Sequence, residues 1–110
     1  MKKLVRFATI AGLGLVLLTA TANADVAKGQ KIYIKKLKSA CAADGIANGA
    51  KFAAKHTQSE WEAVGAAGMK AEIKKLCPSA NTDKIKEKYI KDIYDFAHHF
   101  GSDSGNVPSC

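Results

Sequence analysis

The sequence predicts a small all-α domain of three to four helices behind an N-terminal export signal. Three observations carry this. Apolar residues recur at intervals of three and four in separate segments, the spacing of helices that bury one face. No segment shows the paired two-residue alternation of a β-hairpin. The first 24 residues follow the basic, apolar, small-residue order of a leader rather than the pattern of a fold.

In that leader Lys2, Lys3 and Arg6 precede an apolar run over 7–19, and Ala22-Asn23-Ala24 supplies the small-x-small site of a signal peptidase. The run is short for a membrane span, which needs about 20 residues. Cleavage after Ala24 is therefore expected, leaving Asp25 first and no stable membrane anchor. Residues 25–110 then form one domain with 14 lysines, 10 acidic residues and a formal charge of +4. Arg6, the only arginine, leaves with the leader. Arginine is the usual bidentate reader of phosphate and guanine, so a lysine-only surface argues against nucleic acid. It suits solubility, or steering toward an acidic partner.

The first helix is expected over 26–41. Tyr33, Leu37, Ala40 and Cys41 share a face with Ile34 beside them, and Lys31, Lys35, Lys36 and Lys38 fall largely outside it. That lysine face reads first as solvated, with docking as the alternative. The stretch 42–55 contains Asp44-Gly45 and Asn48-Gly49, and reads as a loop with a short helical turn near 51–54. Thr57-Gln58-Ser59-Glu60 is a capping box that starts a second helix, with His56 and Trp61 in the two staple positions. Trp61, Val64 and Met69 are expected to face inward. Gly65 and Gly68 predict a kink or break, each glycine costing up to about 1 kcal/mol against alanine. Helix then resumes over 69–76 and stops before Pro78.

The last helix has the most regular pattern. Ile85, Tyr89, Ile93, Phe96, Ala97 and Phe100 form one apolar stripe. Asn81 or Thr82 is expected to cap it, Asp83 to sit in its first turn, and Gly101 to end it in a left-handed conformation. The first and last long helices should cross, burying Tyr33, Leu37, Trp61, Tyr89, Ile93, Phe96 and Phe100. The polar tail 102–110 is expected to be extended, and a bridge to Cys110 would pin it. Cys41, Cys77 and Cys110 are the disulfide candidates, with Cys77 expected to pair with either Cys41 or Cys110. A bridge worth about 2–4 kcal/mol matters for a core this small.

The layout resembles the class I c-type cytochromes. Lys28-Gly29-Gln30-Lys31-Ile32-Tyr33 opens a helix that leads to a cysteine; a glycine-rich loop, a helix at Glu60-Trp61 and a closing aromatic helix follow. The resemblance implies a cytochrome c-like domain over 25–110. It fails where the haem should be bound. The position of CxxCH reads Cys41-Ala42-Ala43-Asp44-Gly45, so Asp44 stands for the second thioether cysteine and Gly45 for the axial histidine. Those groups are what hold and tune a c-type haem.

The expectation is therefore a periplasmic or secreted binding or accessory protein without covalent haem and without a cofactor. Its partner would be a periplasmic protein, an acidic redox protein or redox complex being the class in view. The alternative is an electron-transfer protein holding haem non-covalently or through Cys41 alone, with His56 and Met69 as candidate ligands. No catalytic motif is present, and no metal site is expected. His98 and His99 are adjacent, so on a helix they point about 100° apart and do not form an i, i+4 pair.

Overall fold

The computed structural model describes residues 25–110; the leader expected over 1–24 lies outside the described residues. Those residues fold into four helices and no strand. α1 spans 25–43: it is α-helical over 25–32, π-helical over Tyr33–Leu37 and α-helical again over Lys38–Ala43. α2 is Gly49–Ala53, α3 is Gln58–Leu76 and α4 is Glu87–His99, preceded by a 3-10 turn at Thr82–Lys84.

The π turn has a reason in the sequence. The buried residues of α1 are Val26, Gly29, Tyr33, Leu37 and Cys41, a step of three followed by steps of four. An α-helix turns about 100° per residue, so every step of four overshoots by about 40°. The Lys38 N–H bonds to the Tyr33 carbonyl five residues back. This wider turn winds less per residue. It returns Leu37 and Cys41 to the stripe set by Gly29 and Tyr33. Ile34, expected beside that stripe, is left 44% exposed.

α1 and α4 cross as expected, and Gly29 marks the crossing. A Cβ built there would run into the Asp92 carbonyl oxygen and lie 2.8 Å from Phe96 Cβ, so only glycine lets the backbones approach this closely. Beyond the crossing a line of rings fills the interior. Tyr33 lies 5.7 Å from Phe96 and 5.1 Å from Phe52, and Phe52 lies 5.7 Å from Trp61. The Trp61 indole N–H donates to the Ala53 carbonyl at 2.9 Å, as a buried indole must. Phe52 is fully buried, although it falls in the stretch expected to be mainly loop. Asn48 accounts for that: its side chain accepts from the Lys51 N–H and starts α2. Tyr89 and Phe100, both expected in the core, pack at its edge and are only half-buried.

α3 begins with the expected capping box, in which Thr57 accepts from the Glu60 N–H and Glu60 accepts from the Thr57 N–H. Its break is at Gly65, with φ 68 and ψ 165. Gly68 stays helical. The second half of α3 ends at Cys77, which is joined to Cys41. This bridge closes a separation of 36 residues, which stabilises by roughly 3–4 kcal/mol in the loop-entropy account.

Several expectations at the C-terminal end are corrected. α4 begins at Glu87, not near Asn81 or Thr82. Ile85 and Lys86 are extended and Lys86 provides no side-chain cap. Ile85 is still buried, which is why it fitted the apolar stripe from outside the helix. Gly101 does not adopt the left-handed backbone; among the described residues the glycines with positive φ are Gly45, Gly65 and Gly105. Its role is close approach, since a Cβ there would lie 2.8 Å from the Gln58 nitrogen. The tail turns before it extends: the Ser104 N–H donates to Gly101. No disulfide pins it. Cys110 is free, and the tail is held by Ala50 N–H donating to the Cys110 carbonyl and Gln30 donating to Ser109.

The two kinds of glycine predict opposite outcomes. Gly29→Ala should lower the unfolding free energy by roughly 1–3 kcal/mol through overpacking at the crossing. Gly68→Ala, where a Cβ meets only Val64 at an ordinary 3.6 Å, should raise it by up to about 1 kcal/mol. Urea titration of both variants measures this, and equal responses would contradict a close-packed crossing.

Candidate functional site

The outer face of α1 carries the most distinctive surface. Lys28, Lys31, Ile32, Lys35 and Lys36 recur at i, i+3, i+4, i+7 and i+8, one helical stripe. With Tyr89 of α4 they line an open cleft of about 410 Å³. Ile32 and the Tyr89 ring form its apolar floor, and both are half-buried. The four lysines form the rim; Lys88 does not line the cleft, but its ammonium lies 5.2 Å from the Tyr89 ring centre. Among the described residues the lysines that pair with carboxylates are Lys70, Lys75 and Lys91. The rim ammonium groups thus form no ion pair within the domain, and Lys28 alone of them also acts on a carboxylate, that of Asp92. Long lysine stems cover apolar surface while their charged ends stay in water, so the cleft offers an apolar patch framed by positive charge. The lysine periodicity was readable in the sequence. Tyr89 as the floor was not, because its spacing placed it in the core stripe of α4.

The residues singled out for haem lie elsewhere and are engaged. The Cys41 sulfur is bonded to Cys77. His56 Nε2 is 2.7 Å from Glu72 Oε2, and its Nδ1 faces Glu60 at 3.6 Å. The His56 ring meets Trp61 edge-on at 4.7 Å, the staple contact expected of it. Met69 is fully buried in the hydrophobic core. In the loop after Cys41 the Asp44 carboxylate accepts from the Ser79 N–H at 2.8 Å and the Ser79 hydroxyl at 2.9 Å. Gly45 takes a φ of 94. Cys41, His56 and Met69 present no open ligating atoms to one another, and as arranged they do not fit a haem.

The His56–Glu72 contact has a mechanical consequence. Glu72 lies beyond the Gly65 break and His56 lies before the start of α3, so the pair braces the two arms of that helix across the elbow. His98 similarly meets Glu62 at 2.8 Å and ties α4 to the first arm. His99 instead packs edge-on against Phe100. The neighbouring histidines therefore diverge, and among the described residues no cluster of three or more His, Cys, Asp or Glu could hold a metal.

Cys110 lies in a different setting. A Cβ on Gly49 would fall within contact of the Cys110 sulfur, the Phe96 ring and the Tyr33 ring. Burial pushes the Cys110 thiol pKa up, opposed by smaller effects from Gly49 and Lys38. A raised pKa keeps a thiol protonated and a poor nucleophile. The Tyr33 hydroxyl is buried without a hydrogen-bond partner, and burial, then the charge of Cys110, pushes it up to about 12. No described helix is long and apolar enough to cross a membrane.

No family model, no curated protein and no solved structure matches this chain.

Two outcomes follow from these contacts. His56→Ala removes one end of the elbow brace and should cost roughly 1–2 kcal/mol in urea unfolding, while an unchanged midpoint would mean the brace carries no load. A thiol reagent should titrate one cysteine per native chain, slowly, and should react much faster once the chain is unfolded. Two or more titratable thiols in the native protein would contradict the Cys41–Cys77 bridge.

Proposed function

We propose that this chain is an exported binding module, cut from its leader after Ala24, that works without covalent haem and docks an acidic partner in the lysine cleft. The observation that carries the proposal is the cleft itself. Its unpaired lysines attract acidic groups over a Debye length of about 8–10 Å, and its floor of Ile32 and Tyr89 rewards an apolar side chain. Charge alone would give a fast, salt-sensitive encounter; the apolar floor adds residence time. An acidic protein surface that presents one large apolar residue meets both requirements, and a periplasmic redox protein is the partner class the cytochrome likeness suggests.

Two further features support the reading. The Cys41–Cys77 bridge suits an oxidising compartment. It also occupies the sulfur with which a c-type attachment motif would begin. Asp44 and Gly45 serve the loop that follows, one as an acceptor for Ser79 and the other as a left-handed turn residue.

The intact mass and visible spectrum of the exported protein test the haem-free part. The expected mass is that of residues 25–110 less two hydrogens, with no Soret band; a Soret band at stoichiometric haem would refute it. Docking is tested by titrating labelled protein with an acidic peptide carrying one aromatic residue. Amide shifts should concentrate on Ile32, Lys35 and Tyr89 and fade as salt rises. Lys31→Glu with Lys35→Glu should weaken binding about tenfold or more, whereas Lys70→Glu should not. Shifts scattered over the surface would count against the cleft.

A further inference from the structure

α1 begins beside a group of charges that it shares with α4. Asp25 and Gly29 stand about one turn apart on the same face of α1, and Gly29 rests on the Asp92 carbonyl. The Asp25 carboxylate lies 3.6 Å from the Lys91 ammonium, which also holds Asp95 at 2.7 Å. Asp92 is near enough to feel the charges of Asp25, Lys91 and Asp95 and is only 7% exposed. Among the described residues the hydrogen bonds and ion pairs of this corner end on Asp25 and Asp95, and none reaches the Asp92 carboxylate.

The imbalance is visible in the charges around Asp92. Burial raises its carboxyl above the usual range, Lys28 and Lys91 pull it down, and Asp25 and Asp95 push it up again. Asp25, Asp92 and Asp95 thus face Lys28 and Lys91, and the corner is one positive charge short. Asp92 is only 7% exposed, so its carboxylate oxygens sit at the rim of the core, in reach of water but with no cation or donor in hydrogen-bonding range, and part of their desolvation cost is uncompensated. Asp92 occupies a position on α4 where an apolar residue would continue the buried stripe, so its retention there calls for a partner.

Resting on the export reading above, we infer that the α-ammonium group created at Asp25 by leader removal is the missing cation and pairs with Asp92 in the mature protein. A leader peptidase adds one water across the Ala24–Asp25 amide. The carboxylate departs with Ala24, and the amine left on Asp25 takes up a proton from solvent. An α-amine with an ordinary pKa of about 7.7–8.0 is mostly protonated at neutral pH. In the uncut chain the same nitrogen is a neutral amide. Processing therefore adds an α1–α4 ion pair that the precursor lacks. The carboxylate of Asp92 also offsets the unfavourable placement of a positive charge at a helix N-terminus.

The test separates this pairing from the export reading. Mass spectrometry of the exported protein reports its first residue, and a start other than Asp25 refutes both. The disulfide-bonded domain is then prepared with its first residue at Asp25, or with a Gly-Ser prefix that keeps an ammonium but moves it away. Each form is made with and without Asp92→Asn. The prefix should lower the Tm by about 4–8 °C when Asp92 is present and by much less with Asp92→Asn. Equal shifts in both backgrounds, or none in either, overturn the pairing and leave export intact. A second readout needs no Asp92 substitution. The α-ammonium pKa of the form starting at Asp25 should lie about one unit above that of the prefixed form, and equal values overturn the inference.

Discussion

The contact on which the rest of this structure depends is the meeting of two backbones at Gly29. α1 and α4 cross with no side chain between them at that point, because a Cβ on Gly29 would run into the Asp92 carbonyl. Close approach there brings Tyr33 onto Phe96, and through Phe52 the line of rings continues to Trp61. The inner face of α1 is thus committed to the core along its whole length. Its outer face is the only one left for lysines, and Tyr89 of α4 emerges beside Ile32 to floor the cleft. Core, cleft and the charged corner at Asp25 are three consequences of one crossing.

A domain of this size buries too little surface to be secure on packing alone. The Cys41–Cys77 bridge ties the end of α1 to the end of α3, elements that the crossing does not itself connect. The loop after α1 is then fastened a second time, by Asp44 holding Ser79 just past the bridge. The elbow at Gly65 is braced by His56 and Glu72. These are local fastenings placed where helices end or break; the hydrophobic stabilisation comes from the α1–α4 crossing together with the packing of α3 along α4.

Much of this was legible in the sequence where a local rule had no competitor. The capping box at Thr57 and Glu60 and the staple between His56 and Trp61 involve neighbours in the chain, and both are present. The helical spacing of Tyr33, Leu37 and Cys41 located α1, although no spacing rule distinguishes an α-helix from one that contains a π turn. Legibility failed where tertiary contact decided. Ile85 fits the α4 stripe by count, yet it is buried from an extended segment before the helix begins. Phe52 stood alone among turn formers, and only the packing of Tyr33 and Trp61 on either side reveals it as core. Gly101 looked like a stop signal and is instead a point of contact with the start of α3. The cleft was half visible: its lysines share a period, but its floor belongs to another helix.

The π turn in α1 joins the two faces of that helix in one physical requirement. Without it, the run of four-residue steps from Gly29 to Cys41 would drift around the helix, and Cys41 would leave the side on which Cys77 waits. Moving Cys41 back also rotates every residue after Tyr33, including Lys35 and Lys36, relative to Lys28 and Lys31. The lysines that follow the π turn are therefore placed by the demands of the core and the disulfide, not by their own helical period alone. A stripe that reads as merely solvated in sequence becomes a rim because the buried side of the same helix fixes its register.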